Sequence, residues 1–184
     1  MGNTLIRIAE ELCNCVARVS EEDRKKFLPY FAPGSRVFCA GAGRSGLAVR
    51  GFAMRLMHMG LPAFVVGEMV TPSIRSGDIL LVVSGSGTTA SLVEMGRKAK
   101  TLGARLLLLT IKPDSPLGRL ADAMICIPAP SPKAEDVTVF TSLQPMGTLA
   151  EQTAFLVLDS LVVDLMEQFR VTGEMMFQNH ANLE

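Results

Sequence analysis

Residues 78–91, DILLVVSGSGTTAS, decide the fold: after Asp78 a charge-free apolar run of strand length ends abruptly in glycines and hydroxyls and then enters a helical pattern. An unbroken apolar run, as opposed to an alternating one, is what a strand shows when both faces of its sheet are covered. The same construction stands upstream, where RVFCA (36–40) runs into GAGRSG (41–46) and then LAVRGFAMRLMHMG (47–60). Downstream, SLVEMGRKAKTLG (91–103) reads as a helix closed by Gly103, followed by a strand, ARLLLLTI (104–111). KPDSPLGRLA (112–121) reads as a turn and short helix, DAMICIPAP (122–130) as the last strand, and PAFVVG (62–67) as another. Residues 68–77 read as a loop, 131–148 as a polar connection, and LAEQTAFLVLDSLVVDLMEQF (149–169) as a long helix. The segment from Arg170 onward shows no strong period. Alternating strands and helices predict an α/β protein: a three-layer α/β/α sandwich on five parallel strands, near the flavodoxin-like order. In such sheets ligands bind beyond the carboxyl ends of the strands, so the two glycine-rich loops are expected to be neighbours.

The chain has 184 residues, a normal length for one domain, and 18 basic residues balance 18 acidic ones. Zero formal charge argues against nucleic acid or an anionic membrane as partner, and an anion must then be held by a local site. With no Trp and one Tyr, a base-stacking platform is not expected. No run of about 18 uncharged apolar residues suggests a membrane span. The first 27 residues read as an amphipathic helix through Leu5, Ile8, Leu12, Cys15, Val16 and Val19, with no signal core. MGNTLI shares only Gly2 with a myristoylation start, because residue six is Ile6. Cys39 and Cys126 lie in apolar runs and read as buried thiols, while Cys13 and Cys15 point to different helix faces. Four scattered cysteines and two histidines make no zinc pattern, and the expectation is a reduced cytoplasmic protein without a metal. The methionines, Met54, Met57, Met59, Met146, Met166, Met175 and Met176, read as core and interface filling. The long helix and the N-terminal helix are expected to pack together, with the leftover apolar surface forming an oligomer interface.

GAGRSG fits the G-x-G-x-x-G pattern of dinucleotide sites, but the acidic ribose reader that pattern wants is represented only by Glu68, which follows Gly67 and heads a loop. The second loop, Ser84–Thr89, sets several hydroxyls among glycines at a helix start, where free N–H groups and the helix dipole favour an anion. With Ser45 from the first loop it suits a phosphate monoester on a small substrate, although each hydroxyl taken singly also reads as a helix cap.

SGSGTT resembles the S-x-S-G-E-T loop of the SIS (sugar isomerase) domain family, whose members bind phosphosugars. GAGRSG…FAMRLMHMG…VVGE…TP further resembles the 6-phospho-3-hexuloisomerases within it, over nearly the whole chain to HANLE. The resemblance implies one SIS domain over 1–184, with an N-terminal helix in 1–30 and a tail in 170–184. It implies phosphate contacts from Ser45, Ser84, Ser86 and Thr89, no cofactor, and a homotetramer with sites near subunit interfaces. Thr88 stands where the family usually has Glu.

The implied reaction converts D-arabino-3-hexulose 6-phosphate to fructose 6-phosphate through an enediolate, in the ribulose monophosphate pathway of formaldehyde fixation. Glu151 matches the family's catalytic glutamate; read on its own, it is also an acid at a helix N-terminus. Glu68 is the second candidate base, and equally a solvated loop acid. His180 resembles the histidine donated by a neighbouring subunit. His58, among methionines, reads as a packed histidine. Arg44 could meet the phosphate or the enediolate, or form a surface ion pair; Gly43 and Thr88 are further possible contacts. Arg50 and Arg55 read as helix-surface charges, and Thr71 and Pro72 as shaping a lid. Three other readings remain: a non-catalytic phosphosugar-sensing module, an isomerase of another sugar phosphate such as arabinose 5-phosphate, and a dinucleotide-dependent oxidoreductase.

Overall fold

The computed structural model describes residues 3–132 and 141–183. Strands β1 (Val37–Gly41), β2 (Ala63–Val65), β3 (Ile79–Val83), β4 (Arg105–Thr110) and β5 (Ala123–Cys126) form one sheet in the order β2-β1-β3-β4-β5, every pair parallel. This is the expected flavodoxin-like order. The helices are α1 (Thr4–Val16), α2 (Glu21–Lys25), α3 (Gly43–His58), α4 (Ala90–Thr101), α5 (Thr148–Phe169) and α6 (Gly173–Gln178).

Period-two burial explains the layers. Cys39, Ile79, Leu81, Val83, Leu107 and Leu109 point into a core shared with α3 and α5. Their neighbours Phe38, Leu80, Val82, Leu106 and Leu108 point into a second core under α4. Each central strand is therefore apolar throughout, because neither face meets water. The faces are covered unequally, since the β2–β3 connection is the expected loop and adds no helix on the α4 side. α1 packs on α5, as the amphipathic pattern predicts.

Several local expectations shift. The N-terminal helix ends at Val16; Ser20 then caps α2 by accepting from Asp23 N at 3.1 Å, which restarts the chain in a new direction. α3 begins at Gly43, inside the glycine-rich motif, so Arg44 and Ser45 belong to its first turn and not to a loop. Strand β2 is half the expected length. The C-terminal segment holds the short α6, opened by Thr172 accepting from Met175 N at 3.3 Å; six residues are too few to show a period. Cys39 is fully buried, and desolvation pushes its thiol up to about 12, whereas Cys126 is only half-buried. Met59 and Met176 enter the core, while Met54, Met57, Met146 and Met175 are exposed. Residues 133–140 of the polar connection, and Gly2, lie outside the described residues.

One charge network ties the far edge of the sheet. The Asp122 carboxylate, just before β5, accepts from Lys100 Nζ and from Leu106 N, each at 2.7 Å. Burial pushes its carboxyl up, but Lys100, the Leu106 N–H and Arg105 outweigh that and hold it below its ordinary 3.8. A depressed value stabilises the fold above the unfolded pKa, and the contribution is lost as pH falls through the folded one. Asp122→Asn is expected to cost about 2 kcal/mol at pH 7, a fall of about 4–8 °C in Tm. The gap should close on acidification below pH 3.8; thermal melts across that range check it.

Candidate active site

A cavity of about 650 Å³ opens beyond the carboxyl ends of β1, β3 and β4. Its wall brings together Gly43, Arg44 and Ser45 from the start of α3, Ser84 and Ser86 from the loop after β3, Thr89 before α4, and Glu151 in the first turn of α5. The two glycine-rich loops are thus neighbours, because β1 and β3 are adjacent and in register through Gly41 and Val83.

Two backbone features allow this. Gly46 lies so close to β1 that a Cβ there would sit 2.7 Å from Gly41 O, so α3 can leave the strand only from a glycine. Gly87 turns the second loop at φ +62°, and a Cβ there would lie 2.0 Å from the Ser115 Oγ. Thr110, at the end of β4, donates its hydroxyl to Gly85 O at 3.1 Å and steadies the same loop.

The electrostatics follow from three helix starts meeting at one cavity. None of α3, α4 and α5 has a side-chain capping hydrogen bond: their N-caps are Ala42, Thr89 and Gly147. Unsatisfied N–H groups and the positive ends of three dipoles therefore favour an anion. Ser84 and Ser86 are buried, 4% and 8% exposed, so their hydroxyls face a largely desolvated pocket. Across it, Arg44 Nε donates to Glu151 Oε2 at 2.6 Å. With 59% of the Arg44 side chain exposed, that pair is worth at most about 1 kcal/mol and opens readily for a better anion. Among the described residues no three His, Cys, Asp or Glu side chains gather as metal ligands.

Other candidates lie elsewhere. Glu68 pairs with Arg50 and does not line the cavity. Thr88 is exposed and donates to Ser86 Oγ at 3.0 Å, acting on the loop and not on the cavity. Thr71 and Pro72 border a separate groove beside α4, with Thr71 Oγ1 donating to Val65 O, so within this chain they form no lid over the cavity. His58 is buried at the opposite end of α3, roughly 20 Å along the helix from Arg44. His180 stacks on it, ring centres 5.3 Å apart. Desolvation first, then Arg55 and His180, push the His58 imidazole down, the environment of a packed neutral histidine. Glu151 and His180 are therefore not brought together within one chain.

The sequence reading placed Glu151 at the start of the long helix but missed the turn before it as part of the site. Pro145, Met146, Gly147 and Thr148 form a cavity wall, with Thr148 Oγ1 donating to Pro145 O at 2.7 Å. The available signal was a proline and a glycine just before a long helix. Met146 holds φ +57°, a left-handed conformation at the mouth of the site.

The SIS domain family model matches residues 30–156. The 3-hexulose-6-phosphate isomerase of Bacillus subtilis (strain 168) is 44% identical, covering 96% of this chain and 95% of that protein. The enzyme of the same name from Mycobacterium gastri is 43% identical over 99% of this chain and 90% of its own length. Among solved structures, a hypothetical protein of Methanococcus jannaschii, for which a 3-hexulose-6-phosphate isomerase function was inferred, superposes with a TM-score of 0.84 at 27% identity, covering 98% of each chain.

Proposed function

The chain belongs to the SIS domain family, and from that premise we propose that it is an isomerase that converts D-arabino-3-hexulose 6-phosphate to fructose 6-phosphate. The observation that carries the chemistry is the single cavity holding an anion grip of helix starts and serine hydroxyls at one side and a carboxylate, Glu151, at the other. Similarity at 43–44% to isomerases of this name selects the substrate among sugar phosphates.

In the proposed mechanism Ser45, Ser84, Ser86 and Thr89 hold the 6-phosphate, so the sugar carbons extend toward α5. The incoming anion draws Arg44 from Glu151 and frees its carboxylate. Glu151 removes the C2 proton, and the C2–H electron pair forms the C2=C3 bond while the C3 carbonyl oxygen takes the negative charge. Arg44 and the N–H groups stabilise that enediolate. The same carboxyl group returns the proton to C3, the hydroxyl proton passes from O2 to O3, and the ketone now stands at C2. No net oxidation occurs. His180 would serve the oxygen-to-oxygen transfer from a neighbouring subunit.

That role requires assembly, and the proposed state is a homotetramer with sites near its interfaces. Leu47, Phe155 and Leu156, each exposed, line a second groove shared with Arg44 and Glu151, which leaves apolar surface beside the base. Mixing Glu151→Gln and His180→Ala subunits, each inactive alone, is expected to restore activity; no recovery in verified mixed oligomers would remove His180 from the neighbouring subunit's site. The unit proposed to act is the whole of 1–184. Four free thiols fit a reducing, cytoplasmic setting, and the proposed reaction places the chain in the ribulose monophosphate route.

The direct test supplies enzymatically made 3-hexulose 6-phosphate and reads fructose 6-phosphate through a coupled dehydrogenase. Turnover is expected; none would overturn the reading.

A further inference from the structure

The N-terminal helix is tied to the segment leading into the cavity wall by the Glu11 carboxylate. Glu11, on α1, accepts from Leu143 N at 2.8 Å on one oxygen, and from Ser142 Oγ at 2.7 Å and Gln144 Nε2 at 3.4 Å on the other. Ser142 Oγ in turn accepts from Gln144 N at 3.0 Å. Gln144 is buried, Glu11 and Ser142 are half-buried, and the bond from Leu143 N lies at the surface, so these bonds are partly shielded from competing water. The next three residues, Pro145, Met146 and Gly147, are cavity wall. Met146 is 76% exposed and at φ +57°, so no packing of its own side chain holds it in a left-handed conformation. A side-chain-bearing residue keeps such a backbone only where its surroundings fix it.

We propose that Glu11 is a positioning residue: its carboxylate clamps Ser142–Gln144 and thereby fixes the Met146 turn that walls the substrate cavity. The inference rests on the isomerase reading for its substrate. The clamp crosses more than 130 residues of sequence, so the first helix works as part of the site although none of its residues lines the cavity. Glu151 is carried by α5, which packs on α3 as well as on α1, so its place does not depend on the Glu11 carboxylate. Loss of the clamp therefore loosens the wall around the ground state and leaves the proton transfer intact.

The test is Glu11→Gln, which keeps size and removes charge. Its KM for 3-hexulose 6-phosphate, and its affinity for fructose 6-phosphate by calorimetry, should worsen about tenfold, the effect of losing hydrogen bonds to a charged group. The kcat should stay within about twofold, the mark of lost binding and not lost chemistry. Two further variants separate positioning from folding. Cys15→Ala, which removes a buried α1 side chain that does not bond this segment, should lower Tm without moving KM. In a Met146→Gly background, where a left-handed backbone carries little cost, the Glu11→Gln ratio in KM should shrink to about threefold or less. An unchanged KM in Glu11→Gln, an equal rise in Cys15→Ala, or an undiminished ratio in the Met146→Gly background overturns the proposal. A wild type with no turnover would strike the isomerase reading instead, and the fructose 6-phosphate affinities would still decide the role of Glu11. A wild type that neither turns over nor binds overturns both.

Discussion

Glu151→Gln is expected to lower kcat by about a thousandfold while leaving KM within a few-fold of wild type, the scale of a lost general base. The amide is nearly isosteric, so the shape of the cavity is kept. It cannot accept the C2 proton, and it cannot deliver one to C3. The phosphate grip is assembled from α3, α4 and the Ser84–Thr89 loop and does not depend on the α5 carboxylate. Steady-state kinetics in the coupled assay, together with calorimetric binding of fructose 6-phosphate, separate the two quantities. A kcat within tenfold of wild type would remove Glu151 as the base and send the search to the other polar groups of the same wall. The ion pair with Arg44 also disappears in this variant, but its exposure makes that loss small, so stability should barely change.

The largest expected effect on stability comes from one added methyl group. Gly46→Ala places a Cβ 2.7 Å from Gly41 O, a contact between two backbones with no flexible end to give way. Relief requires β1 and α3 to separate, at a cost of about 3 kcal/mol or a fall of about 6–12 °C in Tm. Five residues on, a Cβ at Gly51 would meet the ring edge of Phe155 at 3.0 Å, and that ring is half-exposed and can turn away. Gly51→Ala should therefore cost far less than Gly46→Ala, despite lying in the same helix and gaining the same helix propensity. Thermal melts of the pair check it. Equal losses would mean that the β1–α3 junction yields more easily than its geometry implies. Because Gly46 also sets where Ser45 and Arg44 stand, its variant should bind phosphate more weakly at temperatures where it remains folded.

Much of this was written in the sequence where burial alone decides structure. DILLVV and RLLLL announce central strands because they meet apolar side chains on both faces, and the helix period of 149–169 follows from packing one face on the sheet. The hydroxyl-rich loop was legible because short-range chemistry, glycines beside serines at a helix start, does not need the rest of the fold. What escaped has a common cause. The early start of α3 within GAGRSG follows from its fit against β1, and intrinsic propensity argues against a helix there. The α5 entrance joins the site only through the return of the chain over the sheet. Glu11 looks like any exposed helix acid until residues 142–144 arrive. Thr71 and Pro72 fell on the wrong side because sequence order places them near the site, while the β2–β3 loop carries them to the α4 face.

The short outer strands have a consequence of their own. β2 offers three residues at one border of the sheet and β5 four at the other, with α2 packed against β5. A brief or shielded edge gives an incoming strand few unpaired N–H and C=O groups to template on. The very apolar centre, β3 and β4, is thereby enclosed two strands deep on one side and one on the other. Sequences as aggregation-prone as ILLVV and RLLLLT are thus kept away from the borders where growth along a sheet would start.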